Sequence, residues 1–315
     1  MDTVLRFAGI DVSKRFLDAH SDELGRARFP NDRDGVAALL EWLGGDAVVG
    51  LEATGSYHCL AAETLAGAGV AVHVYNPRQV RDLARGLGFL VKTDRVDAKV
   101  VCACLRLVES PFVPRSEAGK ELREVSRQIQ YLIRLRSDLK KKLAAPGLGA
   151  VVAESIARQI RSLNLEVRAL EDAWKELLGR SPLHRERFEL LLSVPRIGVK
   201  TARVIASELP EDLGRFSRRQ LAAYFGLAPY DRQSGDSNRR ARMLHGNSRL
   251  RQPLFTCATL AAFADPECRA FAQRLKAKGK HHLTVVCAVM HKLARRAIAV
   301  LLRNTPWEEE RPVPA

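Results

Sequence analysis

Nowhere in the 315 residues does an apolar run approach the roughly 20 that a membrane-spanning helix requires; the longest stretches, such as residues 297–302, fall inside helical patterns. The N-terminus has no apolar core and cleavage site of the secretory kind, so the chain is expected to begin here and to remain in the cytoplasm. No pair among the six cysteines has C-x-x-C spacing. Cys102 and Cys104 are two apart on an expected helix and therefore do not share a face. The cysteines read as reduced packing residues, and no zinc is expected. Acids are scarce relative to bases, 36 against 51, which leaves a net charge of +15. An excess of this size, clustered as it is, implies a polyanionic partner, nucleic acid first. Gly86-Leu87-Gly88 is too short for a phosphate-cradling loop and reads as a flexible connection.

What the chain does contain is a set of acids at the ends of apolar runs. Phe7-Ala8-Gly9-Ile10-Asp11 rises into one aspartate, and Val48-Val49-Gly50-Leu51-Glu52 rises into a glutamate. Both have the form of a buried strand that delivers a carboxylate to its open end. Lys92-Thr93-Asp94-Arg95-Val96-Asp97-Ala98-Lys99 opens an expected helix to about residue 109, and its two aspartates, three apart, project from one face. Around one point, four such carboxylates hold two divalent ions about 3.5 to 4 Å apart, an arrangement suited to phosphoryl transfer. Magnesium favours such hard oxygen ligands. Taken singly, each acid has a plainer reading: Asp94 as an N-cap with Asp97 favoured by the helix dipole, Glu52 as a turn acid, Asp11 as a strand-end residue. Asp18, Asp32 and Asp34 fit no strand-end or shared-face geometry. His20, His58 and His73 read as surface or packing residues.

In order, the first 86 residues predict a meander of three strands (Phe7–Asp11, Phe16–His20, Arg26–Pro30), then a helix capped by Asn31 and stopped by Gly44-Gly45. A strand at Ala47–Glu52, a helix over 57–68, a strand at Ala71–Tyr75 and a helix opened by Pro77 follow. Three strands and then alternating helices and strands is the element order of the ribonuclease-H-like fold, in which the first and fourth strands are neighbours.

Beyond Ser110-Pro111 the pattern turns to long helices. Leu122, Val125, Ile129, Leu132, Leu139 and Leu143 keep three-four spacing, broken by Arg136 at a seam position, and Ile156 through Leu177 keep it throughout. With Pro146-Gly147 between them, these helices predict an antiparallel hairpin able to pack on itself or on a second protomer. Arg134, Arg136, Lys140, Lys141 and Lys142 crowd one end of the first, either as a solvated face or as contacts to a phosphate backbone. Val194-Pro195-Arg196-Ile197-Gly198-Val199-Lys200 resembles the turn of helix-hairpin-helix modules, which offers backbone amides to a DNA phosphate. Its other reading is an ordinary corner between two helices. Residues 228–242 are polar, basic and helix-poor, a DNA-binding loop with Arg232, Arg239, Arg240 and Arg242 placed to bind phosphate. Should this region hold a nucleophile, Ser234, Ser237 and Ser248 compete on equal terms.

The same motifs, together with Glu52-Ala53-Thr54-Gly55-Ser56-Tyr57, Asn76-Pro77, Phe225-Gly226-Leu227-Ala228-Pro229 and Ser234-Gly235, occur in the order seen in the DEDD-type insertion-sequence transposases, a family that includes the pilin-gene DNA invertase. The resemblance runs from residue 6 to about residue 303. It implies a RuvC-like metal-binding domain (1–112), a helical coiled-coil linker (113–182) and a mainly helical transposase domain (183–315) carrying the helix-hairpin-helix-like motif and a serine loop. By resemblance, Asp11, Glu52, Asp94 and Asp97 are the magnesium-binding acids, and Ser234 is the nucleophile that becomes joined to a DNA phosphate. Guidance by a structured noncoding bridge RNA, and assembly of dimers into tetramers on donor and target DNA, are implied in the same way. Residues 236–240 depart from the family's arginine and glycine spacing, so no secondary phosphate ligands are assigned there. The function expected is a recombinase that excises and inserts a mobile element. The rival readings are a DNA invertase of the same family, a junction-resolving nuclease using metal-bound water, a nonenzymatic nucleic-acid-binding protein and a sugar kinase. The last would need a second glycine-rich phosphate loop, which the sequence lacks.

Overall fold

Seven residues with buried and half-buried positions interleaved, Arg6–Val12, form β1, the central strand of a five-stranded sheet. The computed structural model describes residues 6–44, 46–88, 94–227, 230–234, 237–242 and 246–308; of 94–96, 230–234 and 237–242 it describes the backbone alone. Two compact units, residues 1–114 and 115–315, divide the chain.

In the first unit β1 pairs antiparallel with β2 (Phe16–Ser21), and β2 with β3 (Gly25–Pro30). After α1 (Arg33–Leu43), β4 (Ala47–Glu52) returns parallel to β1. After α2 (Cys59–Gly67), β5 (Ala71–Tyr75) lies parallel to β4, which gives the order β3-β2-β1-β4-β5. Helices α3 (Pro77–Gly86) and α4 (Asp94–Leu105) complete the unit. This mixed sheet with its helices is consistent with a ribonuclease-H-like domain. Because strand side chains alternate between faces, Ala8, Ile10, Val12, Val49 and Leu51 point one way and bury themselves with Val36, Leu39 and Leu43 of α1 and Ala61, Ala62 and Leu65 of α2. The opposite face carries Gly9 and Gly50, and α4 lies on it.

Asn31 is not the cap of α1. Asp32 is, its carboxylate accepting from the Gly35 amide at 2.8 Å. Asn31 instead donates its side-chain amide to the carbonyls of Ser13 at 2.8 Å and Tyr57 at 3.1 Å, tying the turn after β1 to the loop after β4. Asn76 and Gln79 form a capping box around Pro77. Helix α4 ends at Leu105, four residues before the expected stop. Residues 110–112 then run beside β5: Ser110 donates to Val74, and His73 accepts from the Ser110 amide on its imidazole at 3.1 Å.

The second unit begins with α5 (Glu117–Leu143) and α6 (Ala150–Gly179), which bury Leu122, Ile129, Leu132, Val167, Trp174 and Leu178 between them. Arg136, the break in the apolar seam, donates to the Asn164 side chain across the helix pair at 2.8 Å. Helices α7 (Pro182–Ser193), α8 (Val199–Glu208) and α9 (Arg218–Tyr224) follow, then strands β6 (Tyr230–Ser234) and β7 (Ser237–Arg242), then α10 (Ser248–Ala264), α11 (Pro266–Ala277) and α12 (His282–Arg303). Every residue of α8 from Thr201 onward is buried, as expected of a helix enclosed on all sides. The stretch expected to be a loop contains an antiparallel pair, with Arg232 opposite Arg239 and Ser234 opposite Ser237. Among the described residues no helix is long and apolar enough to cross a membrane.

A methyl group on Gly9 would come within 2.2 Å of the Ala98 carbonyl oxygen and the Cys102 amide nitrogen. Neither backbone atom can swing aside, so Gly9→Ala should destabilise the protein by about 1–3 kcal/mol, the usual range for overpacking. Urea titration of the full chain checks this, and an unchanged midpoint would contradict the close approach of α4.

Candidate active site

The register of the sheet brings residues far apart in sequence into one row. Arg28 is opposite Asp18, Asp18 is opposite Asp11, and Glu52 is opposite Tyr75. Since Ile10 pairs with Leu51 in the parallel ladder, the next positions, Asp11 and Glu52, are neighbours at the C-terminal ends of β1 and β4. Asp11 lies two residues beyond Gly9 and Glu52 two beyond Gly50, so both acids share the α4 face of the sheet. Asp18 belongs to this row as well, contrary to its sequence reading, and its carboxylate takes both arms of the Arg28 guanidinium at 2.7 and 3.0 Å.

The direction of α4 settles where its acids lie. Ala98 and Cys102 press on Gly9, and the Cys102 thiol donates to the Phe7 carbonyl at 3.6 Å. Rising residue number along α4 therefore runs from Gly9 back toward Phe7, antiparallel to β1. The first turn, with Asp94 and Asp97, lies toward the Asp11 end. Val101 and Leu105 flank Gly50, and Glu52 is near enough to Cys104 for its charge to add to burial in pushing that thiol up to about 11. Asp11, Glu52 and Asp97 are each partly exposed. The side chain of Asp94 lies outside the described residues, as do Lys92 and Thr93 of the same motif. Among the described residues no three His, Cys, Asp or Glu side chains are close enough together to hold a metal ion. The donor set itself fits a hard divalent cation: hard oxygen ligands, from strand ends and a helix start, on one face at one end of the sheet.

In the second unit Ser234 ends β6 and Ser237 begins β7; Gly235 and Asp236 lie outside the described residues. Arg232 is on β6 and Arg239, Arg240 and Arg242 are on β7. Gly226 and Gly246 stand on either side of this hairpin, both with positive φ, and a methyl on Gly246 would lie 2.2 Å from the Gly226 α-carbon. Lys140, Lys141 and Lys142 form the exposed last turn of α5, where positive charge favours the helix dipole; Lys141 also meets Asp138 at 3.1 Å. Gly198 caps α8 without a side-chain hydrogen bond, Lys200 is exposed in its first turn, and Arg196 adopts φ 70° and donates to the Ala264 carbonyl at 2.5 Å. Leu192, Val194, Pro195, Arg196, Ile197 and Gly198 line an open concavity there.

Several buried charged groups, Arg187, Arg203, Glu208, Asp265 and Arg296 among them, have no counterpart among the sequence-predicted residues. Glu208, at the end of α8, is 1% exposed and accepts both arms of Arg127 at 2.6 and 2.9 Å, with Arg123 3.6 Å away. Burial raises its carboxyl, and the hydrogen bonds and charges of the two arginines outweigh that, leaving the pKa below the ordinary value. An acid in the apolar run Val204-Ile205-Ala206-Ser207-Glu208-Leu209 is the sequence signal that marks it.

The first unit thus carries acids at the ends of neighbouring strands, and the second an arginine-rich hairpin that contains Ser234 and Ser237. Residues 8–146 match a family described as a transposase of the DEDD IS110 type, and residues 188–273 match the transposase IS116/IS110/IS902 family. The chain belongs to this transposase family. It is 27% identical to the pilin gene-inverting protein of Moraxella bovis over 96% of its own length and 98% of the relative's. It is 25% identical, with the same coverage of each, to the transposase for insertion sequence element IS1328 of Yersinia enterocolitica. An uncharacterized insertion element IS110 protein of Streptomyces coelicolor is 30% identical over 69% of this chain and 55% of the relative.

If the row of acids binds metal, Asp11→Ala and Glu52→Ala should each weaken Mn2+ binding at least tenfold, the scale of losing a charged ligand, and leave the fold intact. Titration calorimetry with circular dichroism measures both; wild-type affinity in the two variants would refute the assignment.

Proposed function

We propose that this transposase-family DNA recombination enzyme excises and inserts a mobile element by serine attack on DNA, guided by a structured bridge RNA. In this reading residues 1–112 hold the metal, the helical hairpin within 113–182 is a coiled-coil linker, and residues 183–315 carry the nucleophile. The observation that supports it most is the juxtaposition of Asp11 and Glu52 in register under the first turn of α4. Asp11, Glu52, Asp94 and Asp97 would hold two magnesium ions. Such ions polarise a phosphate and lower the pKa of a hydroxyl that approaches them.

Ser234 supplies the attacking oxygen. A serine O–P bond forms, the bond from phosphorus to the leaving deoxyribose oxygen breaks, and that oxygen takes the proton. Attack by a second DNA hydroxyl on the phosphoserine then rejoins the strand and restores the serine, so the bond energy is conserved. Arg232, Arg239, Arg240 and Arg242, and more remotely Lys140, Lys141, Lys142, Arg196, Gly198 and Lys200, are the groups we assign to phosphate contacts. Coverage of nearly the whole pilin gene-inverting protein favours a second reading, inversion of a DNA segment by the same chemistry.

Ser234→Ala should abolish a covalent protein–DNA adduct on denaturing gels and retain DNA affinity, whereas Ser237→Ala should still form the adduct. The reverse pattern would transfer the nucleophile to Ser237. Arg239→Ala should lower the slope of log affinity against log salt by about one phosphate contact; an unchanged slope would mark that arginine as solvated surface. We further propose that one protomer's acids serve another's serine. Mixtures of Asp11→Ala and Ser234→Ala proteins should then regain partial activity after subunit exchange, and verified mixed oligomers without activity would place the site within one chain.

A further inference from the structure

Gly226 and Gly246, which flank the serine hairpin in sequence, meet at a narrow neck, and the contacts around that neck converge on one buried residue. On the outgoing side, the Tyr224 hydroxyl at the end of α9 donates to the Glu208 backbone carbonyl at 2.9 Å. On the returning side, the Asn247 side-chain amide donates to the Glu208 carboxylate at 2.9 Å, and the Asn247 backbone amide donates to the Tyr224 carbonyl at 2.9 Å. Gly226 and Gly246 sit backbone against backbone between these two ties. Arg127 of α5 and Arg115, which donates to the Glu208 carbonyl at 2.6 Å, hold the same residue. Four residues, Arg115, Arg127, Tyr224 and Asn247, thus meet at Glu208, and the last two flank the serine hairpin.

We propose that Glu208 is a positioning residue for strand attack: it acts through Asn247 and Tyr224 to fix the base from which the Ser234 hairpin projects. This rests on the reading of Ser234 as nucleophile. A buried ion pair could serve stability alone, but Arg127 already occupies both carboxylate oxygens. The Asn247 bond adds to a group that is paired without it, and what it adds is a fixed distance between the core and the hairpin stem. Asn247 also caps α10 by accepting from the Arg249 amide, so the same side chain orients the helix that follows. Displacing a reacting group by about 1 Å lowers a rate on the order of a hundredfold, which is why a neck held at two points bears on chemistry.

The test uses the full chain with Asn247→Ser, which keeps an N-cap oxygen and replaces the amide that reaches Glu208 with a shorter hydroxyl. Amide exchange of residues 230–242 should accelerate, and single-turnover adduct formation should slow by about tenfold or more, the scale of one hydrogen bond to a charged group. DNA affinity and the exchange of the α5–α6 core should stay at wild-type values. Glu208→Gln should give the same pattern with a lower melting temperature; if it does not fold, Asn247→Ser alone decides. Unchanged hairpin exchange, an unchanged adduct rate, or exchange that rises equally throughout the helical unit would each overturn the proposal. An adduct that survives Ser234→Ala would overturn the nucleophile assignment, while the exchange and adduct-rate measurements on Asn247→Ser still decide the role of Glu208.

Discussion

The acidic end of the first unit depends on a single contact, the backbone of α4 resting on the backbone of β1 at Gly9. Glycine in a strand interior gives up side-chain packing and conformational restriction, a loss of about 0.5–1 kcal/mol relative to alanine. Here the loss is offset on the other side of the contact, where Val100, Val101, Cys102 and Cys104 are buried at 3% exposure or less. A helix this close has little freedom to slide or roll. Its first turn is therefore fixed relative to the ends of β1 and β4, and so are the backbone positions that carry the acids. Gly50 extends the same shallow bed to the neighbouring strand, where a methyl would lie 3.0 Å from Val101 and 3.1 Å from the Tyr75 ring.

The two units treat acidic charge in opposite ways. Across the sheet one row carries Asp18, Asp11 and Glu52, and the Arg28 guanidinium is bound to the outermost of these acids. Adjacent carboxylates repel, and such a row gains from positive charge brought from outside. Glu208 stands at the other extreme, enclosed and matched by arginines from within the chain. The first arrangement suits a site that takes up cations; the second suits a fastening.

Much of this architecture is legible in the sequence where the cause is local. Strands β4 and β5 follow from short apolar runs bounded by glycine and asparagine, and the start of α3 follows from Asn76 and Pro77. Pro146-Gly147 separates α5 from α6 as its composition implies. Other features depend on partners far along the chain, and these the sequence does not display. Asn31 and Asp32 are equally good caps by type, and only the nearby Ser13 and Tyr57 carbonyls decide between them. The place of Asp18 opposite Asp11 depends on hairpin register, which a polar strand specifies weakly. The pairing of β6 with β7 was hidden by arginine-rich, polar composition that resembles a loop. At Glu208, burial comes from arginines and an asparagine supplied by other elements.

The neck at Gly226 and Gly246 also sets when the hairpin can take its final place during folding. Arg127 and Glu208 are separated by 81 residues in sequence, and Glu208 and Asn247 by 39. Contacts that close such long loops form after local helices have condensed. A chain still emerging from the ribosome without α10 has no Asn247 with which to fasten the returning stem. The stretch between Tyr224 and Asn247 is therefore fastened at both ends only once the helical unit around it is whole.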